Sequence, residues 1–331
     1  MPAPLPRGAL GPAIETSTSV YHRCGMDDLD RALAGEAPAF ARAVKAIVTG
    51  DVAALRAELG ADPSLITARS VSAHHATVLH YVAANGIEDE LQRPVPNADE
   101  IATILLAAGA EVDAPCDAYD GRCRTTMNLL VSSDHPALAG VSAKLVDVLC
   151  AAGAAVDGPE DDGSPLATAL LFGHPECVRA LLARGARTDN VVFAAAAGRP
   201  EWVRAYLDRD GTVTERPCPA FPLSPDRATA SEQALVFASM CGQVDVVRLL
   251  LDQGTRIDAN PPGSHWTATA LHTAAGQGNR SVVELLLERG ANPTIRDPRY
   301  DSTPLGWAEH TGGWSDPEAR DQVASLLRTA G

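Results

Sequence analysis

Residues Thr269 to Asn292 read "TALHTAAGQGNRSVVELLLERGAN". Thr269 is placed to cap a helix, because its hydroxyl can accept from a free N–H in the first turn. Leu271, Ala274 and Ala275 then form one small apolar face at helical spacing, and Gly278 closes that helix. Val282, Val283 and Leu285 to Leu287 mark a second, more hydrophobic helix, which Gly290 ends as a residue free to take positive φ. The stretch is two helices back to back, with the first glycine nine residues after the cap and the second twenty-one after it.

The same ruler fits elsewhere in the chain. Ser164 leads "SPLATALLFGHPECVRALLARGA" with Gly173 and Gly185 at those offsets, and Gln233 leads "QALVFASMCGQVDVVRLLLDQGT" with Gly242 and Gly254. Thr77 leads "TVLHYVAANG", with Gly86 nine later, but "IEDELQRPVPNADE" is inserted before its second glycine, Gly109. Thr303 leads "TPLGWAEHTG" and weaker copies start near Ala41, Thr125 and Asp189, giving eight units over about residues 39 to 331.

These residues resemble the ankyrin repeat family, whose unit of about 33 residues is a β-turn and two antiparallel helices with a Thr-Pro-Leu-His-x-Ala signature. Here the signature stands as "TVLHYVA", "TALHTAA", "SPLATA" and "TPLGWA", and "LLLERGAN", "LLLDQGT" and "LLARGA" match the end of the second helix. The resemblance implies an all-α ankyrin-repeat solenoid of about eight helix-turn-helix units with short β-turn fingers. The pattern departs from the family where Asn128, Ala167 and Gly306 take the His slot, and where the first and fifth units lack the Thr-Pro-Leu core. The 25 residues from Ser164 to Asp189 are too few for a finger between repeats four and five, which is expected to be missing or collapsed. Insertions fall near 87–98, 135–142 and 211–232, and residues 1–38 form a Pro-rich, partly disordered extension with a short helix at Met26 to Leu33.

Composition narrows the function classes. Of 331 residues 46% are hydrophobic but only 4% aromatic, so Ala, Leu and Val supply the core. The net charge of −15 argues against nucleic acid or an anionic membrane as the main partner. Seven cysteines without a CxxC pair point to a reduced cytosol, and no signal peptide or eighteen-residue apolar run stands in the chain, so a cytoplasmic location is expected.

The resemblance implies binding on the concave face built by first helices and fingers. The third residues before each cap, His74, Arg122, Asp161, Trp266 and Tyr300, are expected to point there with His265 and Arg299 beside them. After the caps come Asn85, Ser132, Ser133, Phe172, Met240, Cys241, Gln277, His310 and Thr311. Trp266 and Tyr300, 34 residues apart on adjacent fingers, make an aromatic hot spot, or alternatively Trp266 packs on its own finger. His80 and His272 fill the family's structural slot. No histidines are spaced as metal ligands, no cofactor motif follows a strand, and Cys241 has no base placed beside it, so no metal, cofactor or catalytic residue is assigned. The expected function is a scaffold capturing a protein partner, a basic one by charge. The alternative is a small-molecule site or enzyme in the groove, which the insertions would help to enclose.

Overall fold

The computed structural model describes residues 26–121, 124–208, 213–262, 267–310 and 316–330. Eight helix pairs follow one another among them. The first four are Pro38–Thr49 with Val52–Ala61, Val78–Ala83 with Ala98–Ala107, Thr126–Leu130 with Ser142–Ala151, and Ser164–Phe172 with Pro175–Ala183. The second four are Val191–Ala196 with Pro200–Asp208, Arg227–Met240 with Val244–Asp252, Ala270–Gly276 with Arg280–Glu288, and Pro304–His310 with Pro317–Ala330. In each pair the first helix is called inner and the second outer. The opening stretch is the seventh pair, and Gly278 and Gly290 take φ of 69° and 86°, the left-handed turns that the ruler requires.

The inner helices of repeats five and seven, VVFAAA and ALHTAAG, are short and rich in alanine, so neighbouring repeats approach closely there. The outer helices supply the larger apolar side chains, Val282, Val283, Leu285 and Leu286 in repeat seven. Two hydrogen-bond ladders hold repeat to repeat. In one, the side-chain amide of the residue that precedes the outer helix donates to the end of the preceding inner helix: Asn279 to Ser239 and Met240 carbonyls, Gln243 to Ala196, and Asn97 to Gly50. In the other, an aspartate four residues after the second glycine of repeats two, three and six accepts a backbone N–H of the next repeat: Asp113 from Ala155, Asp157 from Arg187, and Asp258 from Asn292. Such bonds have a net worth of about 1 kcal/mol, more where a donor is left without a partner. Asp113→Ala is therefore expected to lower stability by about 1–2 kcal/mol, read as a shift of the urea midpoint at unchanged slope. An unmoved midpoint would show that the ladder is incidental.

Fingers appear as isolated antiparallel bridges, Arg69 with Thr77 and Cys116 with Arg124. Between repeats four and five only residues 184–190 are available, and that finger is missing. Its place is taken from further along the chain: Asn190 bridges Thr214, Val191 N–H donates to Val213, and Glu215 N–H to Asp189. The long connection after repeat five thus lends a bridging segment to the repeat before it.

Three expected caps are corrected. In repeat four the helix begins at Ser164 itself, directly after Gly163, and no side chain caps it. In repeat five the cap is Asn190, whose side chain accepts from Phe193, one residue later than Asp189. In repeat six the helix begins at Arg227, capped by Asp226, so Gln233 lies inside it. Asp226 wins because its carboxylate can receive both the Thr229 N–H and hydroxyl, whereas the Gln233 side chain is engaged by Ser224 N–H and the Pro222 and Pro262 carbonyls.

Repeats four and five are poorly stacked, with sparse contact between both their inner and their outer helices. Register shows the consequence. Val246 and Leu249, Val282 and Leu285, and Cys177 and Ala180 are buried at two equivalent outer-helix positions. The repeat-five counterparts, Trp202 and Ala205, are exposed, Trp202 to 45% with Arg199 over its ring.

Candidate functional site

The finger of repeat eight is built on Asp297, 2% exposed. Its carboxylate accepts from the backbone N–H groups of Arg299, Tyr300 and Ser302 and from the Trp307 indole N–H. This fixes the half-buried Tyr300 ring edge-on to Trp307 at 6.4 Å, with the Arg299 guanidinium 5.4 Å from its centroid. Trp307 in turn meets His272 edge-on at 5.5 Å. Burial raises the Tyr300 phenol, Arg299 offsets part of that rise, and Asp134 of repeat three adds to it. Tyr300 is a rigid, partly exposed aromatic with a cation beside it.

The other fingers differ. His74 accepts Ala76 N–H at Nδ1, so Nε2 carries the proton and donates to Glu88 at 3.2 Å. Ser72 also donates to Glu88, while Glu36 accepts from Ser70 and from Val71 N–H, which ties the first finger to the segments before and after it. Burial raises the Glu88 carboxyl, but the His74 and Ser72 hydrogen bonds outweigh it and leave it lowered. Asp161 is an exposed fingertip residue paired with Arg216 at 2.7 Å. Beneath it Arg187, 9% exposed, donates to the Asp161, Arg216 and Pro217 carbonyls and pairs with Asp189 at 2.8 Å.

The inner helices of repeats five to seven are deeply buried. All residues of Val191–Ala196 and Ala270–Gly276 are buried, as are Ala230 to Met240 without interruption. Gln277 is half-buried and its Nε2 donates to the Gly173 carbonyl at 3.1 Å, joining repeat seven to repeat four. At the equivalent place in repeat six, burial pushes the Cys241 thiol up to about 12, with Arg179 of repeat four lowering it and Glu176 raising it. Asn85 donates to Leu129 and Ser132, and Ser133 to the Ala84 carbonyl, so both serve repeat packing. Phe172 is exposed to 36%.

Arg122, His265, Trp266, Thr311 and the His310 side chain lie outside the described residues. His74, Asp161 and Tyr300 stand on three separate fingers, each with its own partners, and are not gathered around one space. A cavity of about 170 Å³ lies elsewhere, beneath the 213–225 connection, lined by Asn190, Val213, Cys218 and Phe221 among others. Among the described residues no three His, Cys, Asp or Glu side chains come together to hold a metal, and no helix is long and apolar enough to cross a membrane. His80 accepts Thr77 N–H at Nδ1 and donates from Nε2 to Ala114 at 2.9 Å, the structural role expected of its slot. Sequence reasoning missed Asp297, Arg187 and the aspartate ladder. Only the ladder had a signal, the constant four-residue offset from Gly109, Gly153 and Gly254.

Paired helices, left-handed glycines and bridged fingers define a helical repeat solenoid. A family model for ankyrin repeats, three copies, matches residues 191–297, so this stretch carries ankyrin repeats. Among curated relatives, the Ankyrin repeat and SAM domain-containing protein 6 of Danio rerio is 35% identical over 130 residues, 39% of this chain and 16% of that protein. The Ankyrin repeat and KH domain-containing protein mask-1 of Caenorhabditis elegans is 27% identical over 223 residues, 60% of this chain and 8% of that one. The chain therefore spans less than a fifth of the length of these relatives. The crystal structure of the human ASB11 ankyrin repeat domain is similar at a TM-score of 0.37 and 22% identity, covering 89% of this chain and 98% of that one.

Proposed function

We propose that this chain is a protein-binding ankyrin scaffold that captures a partner protein on its concave side, and that the partner is basic. The observation that carries this reading is the finger of repeat eight. There a rigid Tyr300 and the adjacent Arg299 stand partly exposed, on a scaffold that spends its buried polar groups on joining repeats. Aromatic and arginine anchors of this kind concentrate binding energy. The net charge of −15 favours a basic partner by steering.

Affinity capture from the native host is expected to return a basic protein whose binding weakens at least about tenfold in a Trp266→Ala, Tyr300→Ala double variant and with added salt. Unchanged binding in that variant would remove the hot spot from the proposal, and an acidic or salt-indifferent partner would remove the charge argument.

A further inference from the structure

Repeats four and seven are in contact, although three repeats apart. In a regular stack with one helix diameter of roughly 8–10 Å per repeat, their inner helices would stand roughly 25–30 Å apart, beyond the reach of any side chain. Here Gln277 touches the Gly173 carbonyl, the Cys241 thiol feels Arg179 and Glu176, and Tyr300 feels Asp134. The turn of repeat four therefore stands against repeat seven, with repeat six close enough for its Cys241 to feel the charges of Arg179 and Glu176.

This arrangement and ordinary stacking at the four-to-five joint exclude each other. Trp202 and Ala205 are uncovered where their counterparts in repeats four, six and seven are buried, so the joint gapes on its outer-helix side. On the finger side it is fastened, because Arg187 binds the fourth finger to the 214–217 segment. A joint tied on one edge and open on the other is a hinge. Swinging repeat four to cover Trp202 carries Gly173 away from Gln277. The groove-side contact itself includes one neutral hydrogen bond to a carbonyl, a far weaker tie than the apolar stacks within each half.

We infer that the contact of repeat four with repeats six and seven is an autoinhibitory latch: the chain fills its own groove, and a protein partner seats there only after residues 173–179 swing away. The inference rests on the reading of the concave side as the binding side, and it is tested without a partner, so either can fail alone.

In the full-length chain carrying Glu176→Cys, a short bismaleimide is expected to join that position to the native Cys241 within one monomer, identified by peptide mass spectrometry. No such link, while both cysteines still react with a monofunctional maleimide, overturns the latch, as does a link found only between two chains. Gln277→Glu sets a carboxylate against the Gly173 carbonyl and near Glu176. It is expected to speed alkylation of Cys241 at least tenfold and to enlarge the radius of gyration, with the helical circular dichroism retained. Unchanged Cys241 alkylation in a folded Gln277→Glu chain also overturns it.

Discussion

Arg187→Met is expected to lower stability by about 3–5 kcal/mol, the range found when one partner of a buried ion pair is removed. Met keeps most of the apolar stem, so the loss is polar. The Pro217 carbonyl loses its donor, those of Asp161 and Arg216 keep only the Arg216 guanidinium and the Thr214 hydroxyl, and the Asp189 carboxylate, with a side chain only 14% exposed, loses its 2.8 Å partner. Arg216 does not replace it, since it reaches Asp189 only at 3.9 Å and is itself half-exposed. The backbone N–H of residue 187 still donates to Asp157, so that rung of the ladder survives. Urea unfolding followed by circular dichroism measures the loss, and Arg187→Met with Asp189→Asn should recover part of it by removing the uncompensated charge. A loss below about 1 kcal/mol would mean that the finger-side tie of the hinge lies elsewhere.

How much of this was legible in advance follows from which interactions are local. The cap-to-glycine ruler located the helices because hydroxyl capping and left-handed glycines act within a few residues, and the 25-residue spacing exposed the missing finger by simple chain length. Gln233 was misplaced for the same local reason, since a stronger cap, Asp226, lay seven residues upstream in a connection that reads as loop. What replaces the missing finger was not legible, because the Asn190 and Thr214 bridge joins residues on opposite sides of a whole repeat. Gln277 was read as a groove residue from its offset to the cap, but its partner Gly173 is 104 residues away and depends on how tightly the array closes. Curvature is a sum of small inter-repeat rotations, and no single motif encodes it.

The pH response of the array should be dominated by His80. The ring is fully buried and neutral, held between Thr77 and the Ala114 carbonyl, and burial lowers it from the ordinary 6.5 to about 4. Because the folded value is the lower one, the unfolded chain takes up the proton first. Stability is therefore fully present above the unfolded value near 6.5 and is lost as pH falls from there towards 4. A depression of about 2.5 units corresponds to roughly 3 kcal/mol at 1.36 kcal/mol per unit. His272, in the same slot of repeat seven and also lowered by burial, adds in the same direction, while Asp134, raised by burial, opposes them at the acid end. Repeat three supplies the control, for there Asn128 takes the slot, accepting from the Thr125 hydroxyl and donating to Ser164. His80→Asn is thus expected to be less stable at pH about 7.5, where it forfeits the bond to Ala114, but to lose much less than the parent between pH about 6.5 and 4.5. Urea midpoints across that window decide it: parallel slopes for parent and variant would mean that the acid sensitivity resides in other groups.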